Sequence, residues 1–200
     1  LEAQHERLRQ AALTDELTGA WNRRYFDRFM EAALPAAQLS RQPLTLLVFD
    51  IDNFKQYNDQ FGHAAGDDIL RHTVALLRAT TRQQDKVCRI GGDEFAVIFY
   101  APGGPREPGS QPPAEVCSIA RRFQEQVRAA RFPKLGKDAP GRLSVSGGLA
   151  TDPWDGRTPA ELLARADAIA LQSKRAGKGV IVLGPGADEP RPGEPPVGAP

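Results

Sequence analysis

Two glycines and two carboxylates stand in direct succession at Gly91-Gly92-Asp93-Glu94, where the apolar runs "DKVCRI" and "EFAVIFY" meet. A Gly-Gly pair tolerates positive φ and predicts a tight hairpin turn. A third carboxylate, Asp50, ends the run "LTLLVFD", which has the continuous apolar character of a central strand buried on both faces. If that strand neighbours the hairpin, the acidic tips meet at one edge of the sheet. Clustered carboxylates repel unless a cation lies between them. Hard oxygen ligands favour Mg²⁺, which takes few protein carboxylates and fills its shell with phosphate oxygens and water. The predicted chemistry is a magnesium–nucleotide site for phosphoryl or nucleotidyl transfer.

The stretch "DIDNFKQYNDQFGHAAGDD" (Asp50 to Asp68) extends this site. Asp52 or Asn53 is predicted to N-cap a short helix through "FKQYND". The N–H groups of Asn53, Phe54 and Lys55 would then face a polyphosphate, as helix N-termini do, and Lys55 adds a positive charge. Asn58 both donates and accepts, and Asp67 accepts from two adjacent donors. Guanine offers paired N1–H and N2–H donors on one edge, so the Asn58/Asp67 pair suits it. In "QSKRAGKG", Lys174 and Lys178 stand four apart. They share a face if the helix persists and would hold β- and γ-phosphates.

The elements that must position these groups follow from periodicity. A helix is expected from about Arg23 to Leu39. Helical stripes run through Ile69, Leu70, Val74 and Leu77, through Val116, Ala120, Phe123 and Val127, and through Leu162, Ala166, Ile169 and Ala170. "RLSVSGGLA" and "VIVL" read as strands. The order, roughly β-α-β-β-α-β-α-β behind a leading helix, is the split-βαβ pattern. The expected fold class is α+β, a ferredoxin-like or palm-type, antiparallel-rich sheet flanked by helices, with an N-terminal helical stub. The expected organisation is the end of a signalling helix or stalk at 1–14, one domain at 15–183, and a disordered Pro/Gly-rich tail at 184–200. "APGGPREPGSQPP" (Ala101 to Pro113) reads as a long surface loop.

Bulk properties narrow the function classes. A chain of 200 residues, 40% hydrophobic, with formal net charge +1 suits one globular domain and gives no electrostatic case for nucleic acid or an anionic membrane. No run of about 18 apolar residues occurs, so no membrane contact by this stretch is expected. Cys88 and Cys117 are too few for a secreted disulfide scaffold, and each reads as a small buried hydrophobe. A cytoplasmic location is the default, compatible with a membrane anchor elsewhere in a longer protein. The start "LEAQHERLRQ" reads as a fragment of one.

The intact signature Gly91-Gly92-Asp93-Glu94-Phe95 resembles that of the GGDEF domain, the diguanylate cyclase family. "DELTGAWNRR", "DIDNFKQYNDQFGHAAGD", "SVSGGLA" and "RADAIALQSKRAGK" support the resemblance in the same order along the chain. It implies condensation of two GTP into cyclic di-GMP at a homodimer interface with two Mg²⁺ per active site, Mn²⁺ substituting, under control of an upstream sensory domain. Asp50 would hold both metals, Ile51 would contribute its carbonyl, and Asp93 and Glu94 would be further ligands and candidate acceptors of the 3′-hydroxyl proton. Asn58 and Asp67 would read guanine with His63 nearby, while Lys55, Lys174 and Lys178 would bind phosphates. Two departures bear on GTP affinity. Gly177-Lys178-Gly179 stands where Gly-Arg-Asn is frequent, and Leu171 stands where tyrosine is usual.

"RQQD" (Arg82 to Asp85) matches the family's product-inhibition site in pattern and position. The resemblance implies that cyclic di-GMP binds there, with Arg122 as a second arginine. The bland alternative is an i,i+3 surface ion pair of little worth. Taken singly, each motif has such a reading: a solvated turn, a capping acid, helix-terminal lysines. Their joint occurrence favours an enzyme. The alternative function is a catalytically weak module serving as a cyclic di-GMP or GTP receptor.

Overall fold

The computed structural model describes residues 11–100, 114–130 and 143–184. The expected surface loop at Ala101 to Pro113, the tail beyond Gly184 and most of the stalk lie outside them. Of the residues expected to form a stalk, 11–13 are helical.

Strand β2 (Leu44–Ile51) forms because its eight residues are almost wholly apolar, and all but Asp50 are buried. Its side chains sort by parity, as a pleated strand requires. Leu44, Leu46 and Val48 face one core, while Leu47, Phe49 and Ile51 face the other. The sheet around it has six strands in the order β1-β3-β4-β2-β5-β6. These are β1 (Trp21–Asn22), β3 (Lys86–Arg89), β4 (Glu94–Tyr100), β5 (Val145–Asp152) and β6 (Ile181–Leu183). The pairs β3/β4, β4/β2 and β2/β5 are antiparallel, and the outer pairs β1/β3 and β5/β6 are parallel. The antiparallel-rich α+β class expected from the sequence is therefore the one observed. The two-residue strand β1 is too short for periodicity to reveal.

Helices cover both faces. Helix α1 (Arg23–Leu39) and helix α5 (Pro159–Arg175) supply Phe26, Met30, Leu162 and Ala166 to one core. Helix α3 (His63–Thr80) and helix α4 (Ala114–Ala129) supply Ile69, Leu77, Phe123 and Val127 to the other. The short helix α2 (Phe54–Phe61) leads into α3 through Gly62 at φ 83°. No helix among the described residues is long and apolar enough to cross a membrane.

One aromatic cluster fixes the register that matters for function. Phe49 on β2 is paired with Phe95 on β4. Their rings stack at 5.4 Å, and Phe123 closes on Phe49 at 5.1 Å. Such pairs add about 0.5–1.5 kcal/mol beyond area burial. A one-residue slip of either strand would turn its ring to the opposite face and separate the pair. The next pair along the ladder is Asp50 with Glu94, so burial of the phenylalanines sets the acids side by side.

Candidate active site

The expected meeting of acids at one sheet edge is observed. Asp50 ends β2, Glu94 begins β4 opposite it, and Asp93 lies in the preceding turn, where its carbonyl accepts from the Ile51 N–H at 3.3 Å. Parity turns Asp50 toward α5, and Lys174 of that helix forms an ion pair with it. Burial raises the Asp50 pKa. The Lys174 contact opposes that rise, and the charges of Asp93 and Asp52 add to it. Three carboxylates thus repel one another here beside a single lysine.

The turn itself differs from expectation. Neither Gly91 nor Gly92 has positive φ. A Cβ at Gly91 would lie 2.4 Å from Glu94 Oε2 and 3.1 Å from Glu94 Cβ, so a larger residue there would push the Glu94 side chain aside. At Gly92 a side chain would meet nothing within 4 Å, so that face of the turn is open. Arg89 braces the turn by donating to the Gly92 carbonyl at 2.7 Å and 3.0 Å and to both oxygens of Asp15 at 3.1 Å. Burial alone would raise the Asp15 pKa. Hydrogen bonds from Thr18 and Arg89 outweigh it and hold the carboxyl below its ordinary value. This brace lies 74 residues apart in sequence and no local spacing announces it.

Asn58 lies on α2 with its amide packed over Gly66 of α3. A Cβ at Gly66 would come within 1.9 Å of Asn58 Oδ1. Glycine inside a helix costs about 1 kcal/mol relative to alanine, and here the missing methyl makes room for the amide. Asn58 Oδ1 is buried and has no hydrogen-bond partner. A buried acceptor left unmade costs about 1–3 kcal/mol. Asp67 follows Gly66 directly on α3, and His63 is the exposed first residue of that helix. Lys55 is exposed on α2.

Two expectations need correction. Asp52 is not a helix cap. It is 4% exposed, and its carboxylate accepts from Ser144 Oγ at 2.6 Å, Ser146 Oγ at 2.7 Å and the Gly179 N–H at 3.0 Å. Asn53 does occupy the cap position of α2, but at φ 59° and with no side-chain cap bond. Nor do Lys174 and Lys178 share a helix face. Helix α5 ends at Arg175, and Lys178 follows in the left-handed region at φ 65°. Its Nζ donates to Asn53 Oδ1 at 2.7 Å, so it reaches the head of α2 by a loop and not by helical spacing.

Arg82, Asp85 and Arg122 gather at the other end of β3. Asp85 accepts from the Arg82 backbone N–H at 2.8 Å, while the Arg82 guanidinium forms an ion pair with Glu115. Arg122 donates to the Thr80 carbonyl at 2.5 Å. The i,i+3 side-chain ion pair is therefore absent in favour of these partners. Arg82 and Asp85 line a cleft of about 400 Å³ together with Trp21, Arg78 and Val87.

The carboxylates of Asp50 and Asp93 and the carbonyl of Ile51 would offer hard oxygen donors, the chemistry Mg²⁺ favours. Among the described residues no three His, Cys, Asp or Glu side chains gather into a cage for a metal ion. A cation held here would complete its shell from phosphate and water. The crowded charge around Asp50 fits such a cation.

Comparison with known proteins agrees with the geometry. The family model "Diguanylate cyclase, GGDEF domain" matches residues 12–179. Response regulator PleD of Caulobacter vibrioides is 34% identical over 173 residues, 86% of this chain but 36% of PleD. The chain thus spans about a third of that relative's length. Among solved structures, the GGDEF domain of TpbB (YfiN) from Pseudomonas aeruginosa superimposes with a TM-score of 0.73 at 34% identity, covering 86% of this chain and 94% of that one. The coiled coil and GGDEF domain of DgcB from Caulobacter crescentus, in complex with c-di-GMP, gives a TM-score of 0.74 at 28% identity and covers 91% of each chain.

Proposed function

The chain belongs to the GGDEF diguanylate cyclase family, and from that premise we propose that it condenses two GTP into cyclic di-GMP and two pyrophosphates. The observation that carries this reading is the cross-strand pairing of Asp50 with Glu94 beside Asp93 and Lys174. It supplies carboxylates for a cation and a lysine for phosphate at one sheet edge.

Asp50, the Ile51 carbonyl and Asp93, with Glu94 adjacent, would hold two Mg²⁺. Bound there, the metal supplies charge neutralisation at the phosphates and acidifies the attacking hydroxyl. The chain's own residues do the rest. Asn58 Oδ1, an unpaired buried acceptor, takes an N–H from the guanine edge, and Asp67 takes the neighbouring donor. His63 stands beside this base site. Lys174 and Lys178 bind the β- and γ-phosphates, with Lys55 and the N–H groups of Asn53, Phe54 and Lys55 facing the polyphosphate. The 3′-oxygen of one GTP bonds to the α-phosphorus of the other, pyrophosphate leaves, and Asp93 or Glu94 receives the hydroxyl proton. The same step in the opposite direction closes the ring.

One domain holds one GTP, and the product has two-fold symmetry. Two chains must therefore face each other as a C₂ pair. A helical stalk ahead of the domain would raise their local concentration, and an upstream sensory domain would control it. The DgcB complex with c-di-GMP supports product binding by this fold, and we assign it here to Arg82, Asp85 and Arg122. A pure receptor would have no use for the acids at the sheet edge, so the enzyme reading is preferred.

Specific activity tests the proposal. With GTP and Mg²⁺, product formed per unit of protein should rise with protein concentration, and ATP should give none. A specific activity flat across dilution in a proven monomer overturns the two-chain mechanism.

A further inference from the structure

Asp52 is a buried carboxylate that the proposed chemistry does not use, and its partners all lie far away in sequence. Besides the two serine hydroxyls, it holds the Gly179 N–H, and Ser146 Oγ accepts from the same N–H at 3.0 Å. The opposite side of that residue is gripped as well. Gln124 Nε2 donates to the Gly179 carbonyl at 2.9 Å, and Arg128 donates to it too. Both polar groups of one loop residue are thus fixed by four side chains, from β5, from α4 and from the Asp52 turn.

The residue before it is Lys178. Its φ of 65° and the 72° of Gly179 place two consecutive residues in the left-handed region. Glycine adopts this freely, but for a residue with a Cβ it costs of order 1 kcal/mol and persists only where neighbours enforce it. The outcome is that Lys178 Nζ meets Asn53 Oδ1 at 2.7 Å, at the head of α2. The Asp52 turn leads into the same helix, since Asp52 is the residue before Asn53. Its carboxylate therefore ties the lysine loop to the helix end that the lysine must reach.

We propose that Asp52 is a positioning residue for nucleotide binding: by clamping the Gly179 N–H, with Ser144 and Ser146, it fixes Lys178 where it contacts the phosphates. This rests on the reading of Lys178 as a phosphate-binding residue. It also accounts for Gly179 where the family often has asparagine, since both residues tolerate the left-handed conformation. A clamp of this kind makes Asp52 and Lys178 act as a unit, whereas a generally stabilising carboxylate would act independently of the lysine.

A double-mutant cycle separates these cases. The intact chain is titrated, in Mg²⁺, with a GTP analogue that cannot be turned over, for the parent, Asp52→Asn, Lys178→Met and the double variant. The asparagine cannot accept from every donor around it, so Asp52→Asn should weaken binding about tenfold. Lys178→Met should do the same, and the double variant should bind no worse than Lys178→Met alone. Losses that multiply in the double variant overturn the clamp. If Asp52→Asn does not fold, Ser146→Ala replaces it in the same cycle, with a smaller loss in the same non-additive pattern. No weakening by Ser146→Ala, or multiplying losses, then overturns the inference. If Lys178→Met binds like the parent, the phosphate role of the lysine is wrong and the clamp falls with it. No binding by the parent refutes the GTP reading itself.

Discussion

The two ends of strand β3 present opposite states of their polar groups. Four strand residues span about 13 Å, with the acidic turn at one end and Arg82 and Asp85 at the other. At the acidic end, carboxylates are crowded around one lysine, and a buried acceptor on Asn58 has no partner. At the arginine end every named group is engaged: Arg82 with Glu115, Asp85 with the Arg82 N–H, Arg122 with Thr80. The first region keeps an acceptor that no group among the described residues satisfies. The second must exchange existing partners to take one. A site of the first kind is suited to substrate. A site of the second kind is suited to a weaker, conditional ligand such as accumulated product.

The largest effect should come from removing the charge at the acidic end. Asp50→Asn should reduce turnover by at least about 10²–10³-fold, the range seen when one electrostatic stabiliser is lost, with thermal unfolding close to that of the parent. Gly66→Ala comes next. Its methyl would displace the Asn58 amide, so KM for GTP should rise about 10–100-fold through one or two lost hydrogen bonds. Helix α3, which favours alanine over glycine, should persist by circular dichroism. A KM unchanged by Gly66→Ala would separate Asn58 from base recognition.

At the engaged end the effects are smaller and fall on inhibition. Arg82→Ala should require about tenfold more cyclic di-GMP for half-inhibition, from loss of a charge-assisted bond, at an unchanged initial rate. Equal inhibition curves would return Arg82 and Asp85 to a surface role. Glu115→Gln should act in the opposite sense. The Arg82–Glu115 pair is exposed, with side chains 37% and 70% accessible, and such pairs are worth at most about 1 kcal/mol. Freeing Arg82 should therefore tighten inhibition no more than about fivefold. Weaker inhibition in Glu115→Gln would show that Glu115 belongs to the product site and does not compete with it.

The same contrast explains what the sequence disclosed. Contacts dictated by local pattern were legible. The apolar run before Asp50, the Gly-Gly hairpin and the helical stripes predicted the fold, and parity with register carried Asp50 to Glu94. Contacts between distant segments were not. Asp52 looks like a cap because it precedes a helix, yet its partners lie more than 90 residues away. Lys178 looks helical by spacing from Lys174, but the left-handed turn after Arg175 has no sequence signal besides its glycines. Gly91 looks like a φ requirement, yet its φ is not positive. Glu115 lies on α4, whereas Arg82 lies in the connection between α3 and β3, and nothing in "RQQD" points to it.

The central claim is that the acidic sheet edge synthesises cyclic di-GMP from GTP. The direct measurement is chromatography of products after incubating the chain at high concentration with GTP and Mg²⁺, beside Asp50→Asn and a chelator control. The account predicts cyclic di-GMP and two equivalents of pyrophosphate from the parent, and neither product from the variant or the chelated sample. Undiminished product in Asp50→Asn, or GTP left intact by the folded parent across the concentration range, would contradict it.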